Sequence, residues 1–368
     1  MRIALDATPL ILTSGGLPRY VSELSLALAR EFPEDTYVLL SDQHFAIPGL
    51  STPAAAAPSN LTDGRAPGAA ATATRRWWLW GVRQAIRKSG AGLFHGTNFE
   101  VPYLGRTPSI LTIHDLSPWR NPEWHGGADR VRLRTPWLVR FRRARMILTV
   151  SEAVRREIIS HFGLGPSEVR AVPLAASPLF RPVHTSGPPQ NRPSSGNKPF
   201  FLFVGTLEPR KNVLALLDAW RATREQTGAD LIIAGRTRRD FVPVEPCEGL
   251  TLLGEVPDCE LPRLYSDALA FVYPTLYEGF GLPVLEAMQC GCPVITSQDP
   301  AVREVAGGAA IHAHSTGELA GAMKEVAKNA ALRDHLRQAG LARAACFSWS
   351  RTARETRALY AELLGDTA

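Results

Sequence analysis

Apolar and polar positions along this chain follow two alternating rhythms. Short, continuous apolar runs read as buried strands: Arg2-Ile-Ala-Leu-Asp-Ala7, Tyr37-Val-Leu-Leu40, Leu93-Phe-His95, Ser109-Ile-Leu-Thr-Ile113 and Met146-Ile-Leu-Thr-Val150 in the first half. Phe200-Phe-Leu-Phe-Val204, Leu231-Ile-Ile-Ala-Gly235, Leu250-Thr-Leu-Leu253, Leu269-Ala-Phe-Val-Tyr273 and Pro293-Val-Ile-Thr296 repeat the theme in the second. Between them apolar residues recur at helical spacing. Tyr20, Leu24, Ala27 and Leu28 share one face, as do Leu214, Leu217 and Trp220, and Leu282, Leu285, Ala287 and Met288. Strands alternating with helices predict parallel sheets, hence an α/β fold, and the pattern restarts after residue 199.

The restart follows a stretch dense in Pro, Ser and Gly, Pro182 to Pro199, which reads as an interdomain linker. At 368 residues the chain exceeds one typical domain of roughly 100–200 residues. Two domains are therefore expected: 1–181, and 200–346 with a terminal helix over 347–368. Residues 46–74, crowded with Ala, Pro, Ser, Thr and Gly, read as a mobile loop. No apolar run approaches the roughly 20 residues that span a bilayer, and Met1-Arg-Ile-Ala-Leu-Asp6 reads as a strand rather than a signal peptide. A cytoplasmic chain is expected. Five cysteines, 247, 259, 290, 292 and 346, lack zinc-type pairing and suit reduced thiols better than a disulfide framework.

Charge changes the picture in the first half only. Residues 1–184 hold 22 Lys/Arg against 14 Asp/Glu, a balance of +8, whereas 185–368 hold 19 against 21, a balance of −2. Seven arginines fall between 130 and 145, interleaved with Leu133, Trp137, Leu138 and Phe141. Such a basic amphipathic helix suits an anionic membrane surface or a phosphorylated acceptor, and a solvated helix face is the equally weighted reading. The Arg75-Arg-Trp-Trp-Leu-Trp80 segment offers aromatics to a membrane interface or, more commonly, to a sheet. No nucleic-acid recognition module accompanies the charge, so nucleic acid is not an expected partner.

The chemistry concentrates at Tyr273-Pro-Thr-Leu-Tyr-Glu-Gly-Phe-Gly-Leu-Pro-Val-Leu-Glu-Ala-Met288. A strand ends there, Gly279 and Gly281 open the main chain to a ligand, and a helix begins near Leu282, where free N–H groups and the helix dipole attract an anion. Ionised Glu278 and Glu286, on either side of that turn, can each accept hydrogen bonds from paired hydroxyls. The arrangement fits a ligand with a sugar at both ends of a diphosphate, although a Glu in a first helical turn is also ordinary dipole compensation. Arg210-Lys211, on the loop after Phe200–Val204, would be unfavourable beside a positive helix end unless an anion intervened.

The string from Glu278 to Ile295, with seven residues between its two Glu, resembles the signature of retaining glycosyltransferase family 4, and the phrase Gly205 to Asn212 looks most like the bacterial members that transfer mannose in surface-polysaccharide assembly. Gly205-Thr-Leu-Glu-Pro-Arg-Lys-Asn212, Thr112-Ile-His-Asp-Leu116, the Gly15-Gly16 loop and the Phe347-Ser-Trp349 return carry the resemblance through nearly the whole chain. It implies the GT-B fold, two Rossmann-like domains with parallel sheets facing each other across a cleft. His114 would approach the donor sugar, with Asp115 as its orienting or acceptor-side neighbour. Arg210 and Lys211 would hold the diphosphate, Glu278 and the main chain of Gly279, Phe280, Gly281 and Leu282 the sugar, Glu286 the ribose, and the loop at Val256 the nucleobase; Gly15 and Gly16 would face the donor. His114, Arg210, Lys211 and Glu278 are the expected catalytic group.

Two stretches depart from the family pattern: Pro173-Leu-Ala-Ala-Ser177, where relatives often carry a Gly and an Asp, and the loop at 46–74. No Asp-x-Asp occurs, so neither a metal nor a cofactor is expected. GDP-mannose is the first expectation for the donor, ahead of UDP-glucose, UDP-N-acetylglucosamine and dTDP-rhamnose, and a glycan or lipid-linked glycan for the acceptor. A nucleotide-sugar epimerase or hydrolase, and a non-catalytic nucleotide-sugar-binding protein, are the rival readings on this fold. A dinucleotide oxidoreductase is disfavoured, because no Gly-x-Gly-x-x-Gly follows a strand at Gly15-Gly16.

Overall fold

A computed structural model describes residues 1–12, 15–47, 58–64, 76–125, 127–183 and 198–365. The chain divides into two compact units, one formed by Met1–Leu174 with Ser348–Ala368 and the other by Ala175–Phe347.

The first unit is built on a seven-stranded sheet. Its strands are β1 (Arg2–Asp6), β2 (Thr36–Leu40), β3 (Leu61–Asp63), β4 (Leu93–Gly96), β5 (Ser109–Thr112), β6 (Met146–Thr149) and β7 (Val169–Ala171), in the order β3-β2-β1-β4-β5-β6-β7. Every pairing is parallel, and the order reverses direction between β1 and β4. Such a switch point opens a crevice at the carboxyl ends of the strands, which is where doubly wound sheets bind ligands. The helix Gly16–Glu31 buries Tyr20, Leu24 and Leu28, as its periodicity predicts. β3 lies inside the stretch expected to be loop; Leu61 alone of its residues is buried, so the strand carries almost no apolar signal. The rest of the expected loop lies for the most part outside the described residues.

The terminal helix Trp349–Leu364 belongs to this first unit. Its Tyr360, fully buried, shares a 2.7 Å hydrogen bond with His95 Nδ1, and Thr352 Oγ1 donates to the Pro173 carbonyl at 2.7 Å. Arg357 donates to Asp35 at 2.7 Å and to Glu34 at 3.1 Å.

The second unit carries a six-stranded sheet in the order β10-β9-β8-β11-β12-β13. These are β8 (Phe200–Val204), β9 (Asp230–Ala234), β10 (Leu250–Gly254), β11 (Ala270–Tyr273), β12 (Val294–Thr296) and β13 (Ile311–His312), again all parallel. The first unit ends at Leu174 rather than at the expected 181. The segment that follows packs against the second sheet's helices: Phe180 is buried against Tyr265, and Gln289 Nε2 donates to the carbonyls of Ser177 and Phe180 at 3.0 and 2.7 Å. Of the expected linker, residues 184–197 lie outside the described residues. All five cysteines stand free in this unit. Among the described residues no helix is long and apolar enough to cross a membrane.

Candidate active site

In the second unit the loops at the carboxyl ends of β8 and β11 converge on one carboxylate. A 3₁₀ turn, Pro209–Lys211, follows β8, and Asn212 then takes left-handed backbone angles before the helix Val213–Thr227 begins. That turn delivers Arg210 and Lys211 to Glu278. Glu278 Oε1 accepts from Lys211 Nζ, from Thr275 Oγ1 at 2.8 Å and from Tyr273 OH at 3.0 Å, while Oε2 accepts from Arg210 Nη1 at 3.1 Å. Lys211 Nζ also donates to Tyr273 OH at 2.6 Å, and Arg210 reaches the Tyr277 carbonyl at 3.0 Å and Glu208 at 2.8 Å.

Lys211 and Glu278 are each only 7 % exposed, so this ammonium and carboxylate meet largely out of solvent. Burial opposes the ionisation of Glu278, but the Arg210 guanidinium and the Lys211 ammonium outweigh it and hold the carboxyl down at about 2. Burial, and then the neighbouring Arg210, lower the Lys211 pKa, which Glu278 partly restores. Burial and the charge on Glu278 push the Tyr273 hydroxyl well above its ordinary range. Each charge therefore depends on its opposite, which makes the cluster a pre-organised unit rather than three independent side chains.

The glycine turn lies directly behind. Gly281 sits at φ +100° as the residue before the helix Leu282–Gln289, and a Cβ there would stand 3.2 Å from Val302 Cγ2. Both the backbone angle and the space thus call for glycine. Gly279 and Phe280 are buried, Phe280 edge-on to Phe347 at 5.9 Å, and Leu282 is half-buried. Glu286 lies on the helix at 1 % exposure, where Tyr265 OH donates to it at 3.4 Å. Val256 is half-buried just beyond the end of β10.

Asp299 joins this site without having been singled out in the sequence. It accepts from the Glu278 main-chain N–H at 3.3 Å and caps the next helix by accepting from Val302 N at 3.0 Å. Burial, offset in part by the Val302 bond and reinforced by the Glu278 charge, lifts it to about 6. Tyr273 and Thr275 were likewise overlooked as ligands of Glu278. Their place at a strand end just before the Glu was the available signal.

In the first unit His114 stands just past β5, at the carboxyl edge of the sheet. Its Nε2 lies 2.8 Å from the Thr97 carbonyl, which can only accept, so Nε2 carries the proton and Nδ1 the lone pair. Burial lowers its pKa, with the Thr97 bond and Asp115 acting the other way, and the ring packs edge-on against Tyr20 at 4.9 Å. Thr97, not Asp115, orients the imidazole. Asp115 instead accepts from Ser117 N at 2.9 Å and Ser117 Oγ at 2.5 Å, capping the short turn that follows. Gly15, at φ +109°, precedes the helix that begins at Gly16 and accepts from Arg19 N at 3.4 Å through its carbonyl.

Thr97 connects His114 to a buried carboxylate, because its hydroxyl donates to Asp6 O at 2.9 Å and Asp6 Oδ2 at 3.3 Å. Burial raises Asp6 to about 6, against bonds from Thr8 and Thr97 that lower it. Below the unfolded value of 3.8 both states hold the proton; as pH rises from 3.8 to 6 the folded state holds it more tightly, and stability falls. Asp6→Asn is expected to abolish that loss, raising stability at pH 7 relative to pH 4 by about 2 kcal/mol compared with the parent. Chemical denaturation at the two pH values checks this, and an unchanged pH difference would contradict it.

A family model described as Glycosyl transferases group 1 matches residues 189–343, and one described as Glycosyltransferase Family 4 matches residues 14–177. The O-antigen chain mannosyltransferase B of Escherichia coli is 35% identical over 287 residues, 74% of this chain and 74% of that protein. The chain belongs to glycosyltransferase family 4. This family member is a hexosyltransferase, and its resemblance to solved glycosyltransferases establishes the GT-B fold. The sucrose-phosphate synthase of Thermosynechococcus elongatus superposes with a TM-score of 0.73 at 19% identity, covering both chains fully. The serotype-specific mannosyltransferase WbdA of Escherichia coli is 28% identical over 262 residues, 67% of this chain but 32% of that protein, so the chain spans about a third of its length.

Proposed function

We propose that this glycosyltransferase moves mannose from GDP-mannose onto a glycan or lipid-linked glycan of a surface polysaccharide, with retained anomeric configuration. The mannosyl reading is carried by the 35% identity, over three quarters of both chains, to a protein named for O-antigen mannosyl transfer. The buried Arg210–Lys211–Glu278 cluster supports the chemistry.

In this reading the bond from the anomeric carbon to the diphosphate oxygen breaks, its electron pair leaving with the nucleoside diphosphate. The acceptor hydroxyl attacks the same face of the sugar, and its proton passes to the departing phosphate oxygen. The Lys211 ammonium has three N–H bonds, of which Glu278 and Tyr273 take two, leaving the third to meet the growing negative charge. Glu278 fixes both cations through its two oxygens, and Oε2, with a single protein donor described, has room for a sugar hydroxyl. Glu286 receives the ribose diol, the main chain around Val256 the base, and His114, neutral with its lone pair on Nδ1, the sugar. No metal is required, since two fixed cations supply the charge a magnesium ion would.

Thermal unfolding with GDP, UDP or dTDP tests the donor. At a hundredfold excess over its dissociation constant GDP should stabilise by about 2.7 kcal/mol. Stabilisation by UDP with none by GDP would overturn the mannose assignment and leave the family untouched. Transfer should persist in excess chelator, and a strict magnesium requirement would remove the proposed role of the cation pair. Detection of epimerised or merely hydrolysed donor, with no glycosylated product, would favour the rival enzymes of this fold.

A further inference from the structure

The first unit carries a second feature at the opposite edge of its sheet from His114. A cavity of about 270 Å³ is lined by Arg83, Arg106, Arg142, Arg143 and Arg145, together with the Leu104–Ser109 loop. Ser109 opens β5 and Arg145 directly precedes β6, so the cavity lies at the amino ends of these strands. Among the described residues no carboxylate lines it, although Glu168 reaches one of the five, Arg142, at 3.7 Å. Arg143 donates to the Gly105 carbonyl at 3.4 Å, and its buried Nε has no protein partner. Five like charges around one cavity repel one another unless an anion enters, and planar guanidinium groups suit a phosphate.

Beside the cavity runs an apolar stripe. Leu133, Trp137 and Phe141, spaced by four, are 76, 42 and 61 % exposed, whereas Leu138 between them is fully buried. The helix Asp129–Arg140 therefore turns one apolar face to the core and leaves another uncovered. The two features touch: the Arg143 guanidinium lies 6.0 Å from the Trp137 ring centre, and Tyr103, next to Leu104 of the cavity wall, packs on Trp137 at 6.3 Å. An aromatic and aliphatic stripe bordered by arginines matches a bilayer interface, with acyl chains meeting the stripe and anionic headgroups meeting the charges.

We propose that the arginine-lined cavity and the Leu133–Trp137–Phe141 stripe form one docking surface for an anionic phospholipid bilayer, the cavity receiving a lipid phosphate. This holds whichever nucleotide sugar the donor site takes. The test is co-sedimentation of the full chain with vesicles of phosphatidylglycerol or of phosphatidylcholine. Binding is expected to the first only, and to weaken at high salt. The double variant Arg106→Ala/Arg145→Ala should lose about thirtyfold in vesicle affinity, at the usual contribution per basic residue near such a surface. The double variant Trp137→Ser/Phe141→Ser should also lose binding while keeping its charge. Removal of two cations in the other unit, Arg221→Ala/Lys328→Ala, should change little.

Equal losses in that control would reduce the effect to net charge and overturn the proposal. Undiminished binding by the stripe variant would overturn the insertion. Thermal stabilisation by inorganic phosphate without vesicle binding would make the cavity a site for a free anion instead. All variants should retain the parent's circular dichroism and melting temperature, so a folding defect is recognised independently of the donor.

Discussion

Lys211→Ala is expected to lower kcat/KM for glycosyl transfer by about ten- to a hundredfold and to lower the melting temperature measurably. The rate estimate follows from losing a charged hydrogen bond that strengthens as the leaving diphosphate gains charge, about 1.5–3 kcal/mol. The stability estimate follows from the surroundings of Glu278. Breaking a buried pair typically costs about 3–5 kcal/mol, and Arg210, Thr275 and Tyr273 remain to hold the carboxylate, so the lower end of that range applies. A pH series separates the two effects. Glu278 sits at about 2 in the folded protein against an ordinary 4.5, so its contribution is complete above 4.5 and is lost as pH falls toward 2. In Lys211→Ala that folded value should rise and the acid-side loss should shrink. Unchanged transfer and an unchanged acid limb would together show that Lys211 is a packing residue.

Ten of the strands were legible because each is a continuous apolar run, and the parallel sheets followed from their alternation with helices. Three escaped. β3 has one buried residue, β7 reads Val-Arg-Ala with only the Val buried, and β13 is two residues long. Edge strands of this kind are defined by their hydrogen-bonded neighbours, and a linear pattern holds no record of a neighbour. The division at Leu174 was hidden for a related reason, since Gln289, far along the chain, is what draws Ser177 and Phe180 to the second unit.

The site divides in the same way. Glu278, Arg210 and Lys211 were readable as chemistry, but sequence assigned Glu278 to the sugar and the cations to the diphosphate as if they stood apart. The structure brings all three together in one buried ion-pair cluster, supported by Tyr273 and Thr275. A turn between β8 and its helix sets that proximity, through the left-handed Asn212, and no spacing rule reports it. His114 was similarly legible as a strand-end group, whereas its orienting partner was not: Asp115 is adjacent in sequence, but the Thr97 carbonyl is what fixes the ring. The tryptophans near 78 also divided by environment. Trp77 is buried in the core and Trp78 packs edge-on against Phe94, leaving only Trp80 largely exposed.

Glu286→Ala and Glu278→Gln should fail in opposite ways. Glu286 is almost fully buried one helical turn beyond the glycine loop, with Tyr265 OH as a described donor. In the proposed reading its carboxylate takes the ribose diol, so Glu286→Ala should weaken free GDP binding by about ten- to a hundredfold, the equivalent of about 1.5–3 kcal/mol. Glu278→Gln removes a negative charge from between Arg210 and Lys211 while keeping the shape of the side chain. That leaves two cations facing the place assigned to the diphosphate, so free GDP should bind as tightly as before or more tightly. Transfer should nonetheless fall by about a hundredfold or more, because the cations are no longer held at fixed positions and the sugar loses a hydrogen-bond acceptor. The same change should destabilise the fold by about 3–5 kcal/mol, the cost of stranding buried charge, so binding is measured well below the variant's melting temperature. Calorimetry with GDP on both variants, beside steady-state transfer, decides the matter. Equal losses of GDP affinity would erase the proposed division of labour, and a loss confined to Glu278→Gln would reverse it.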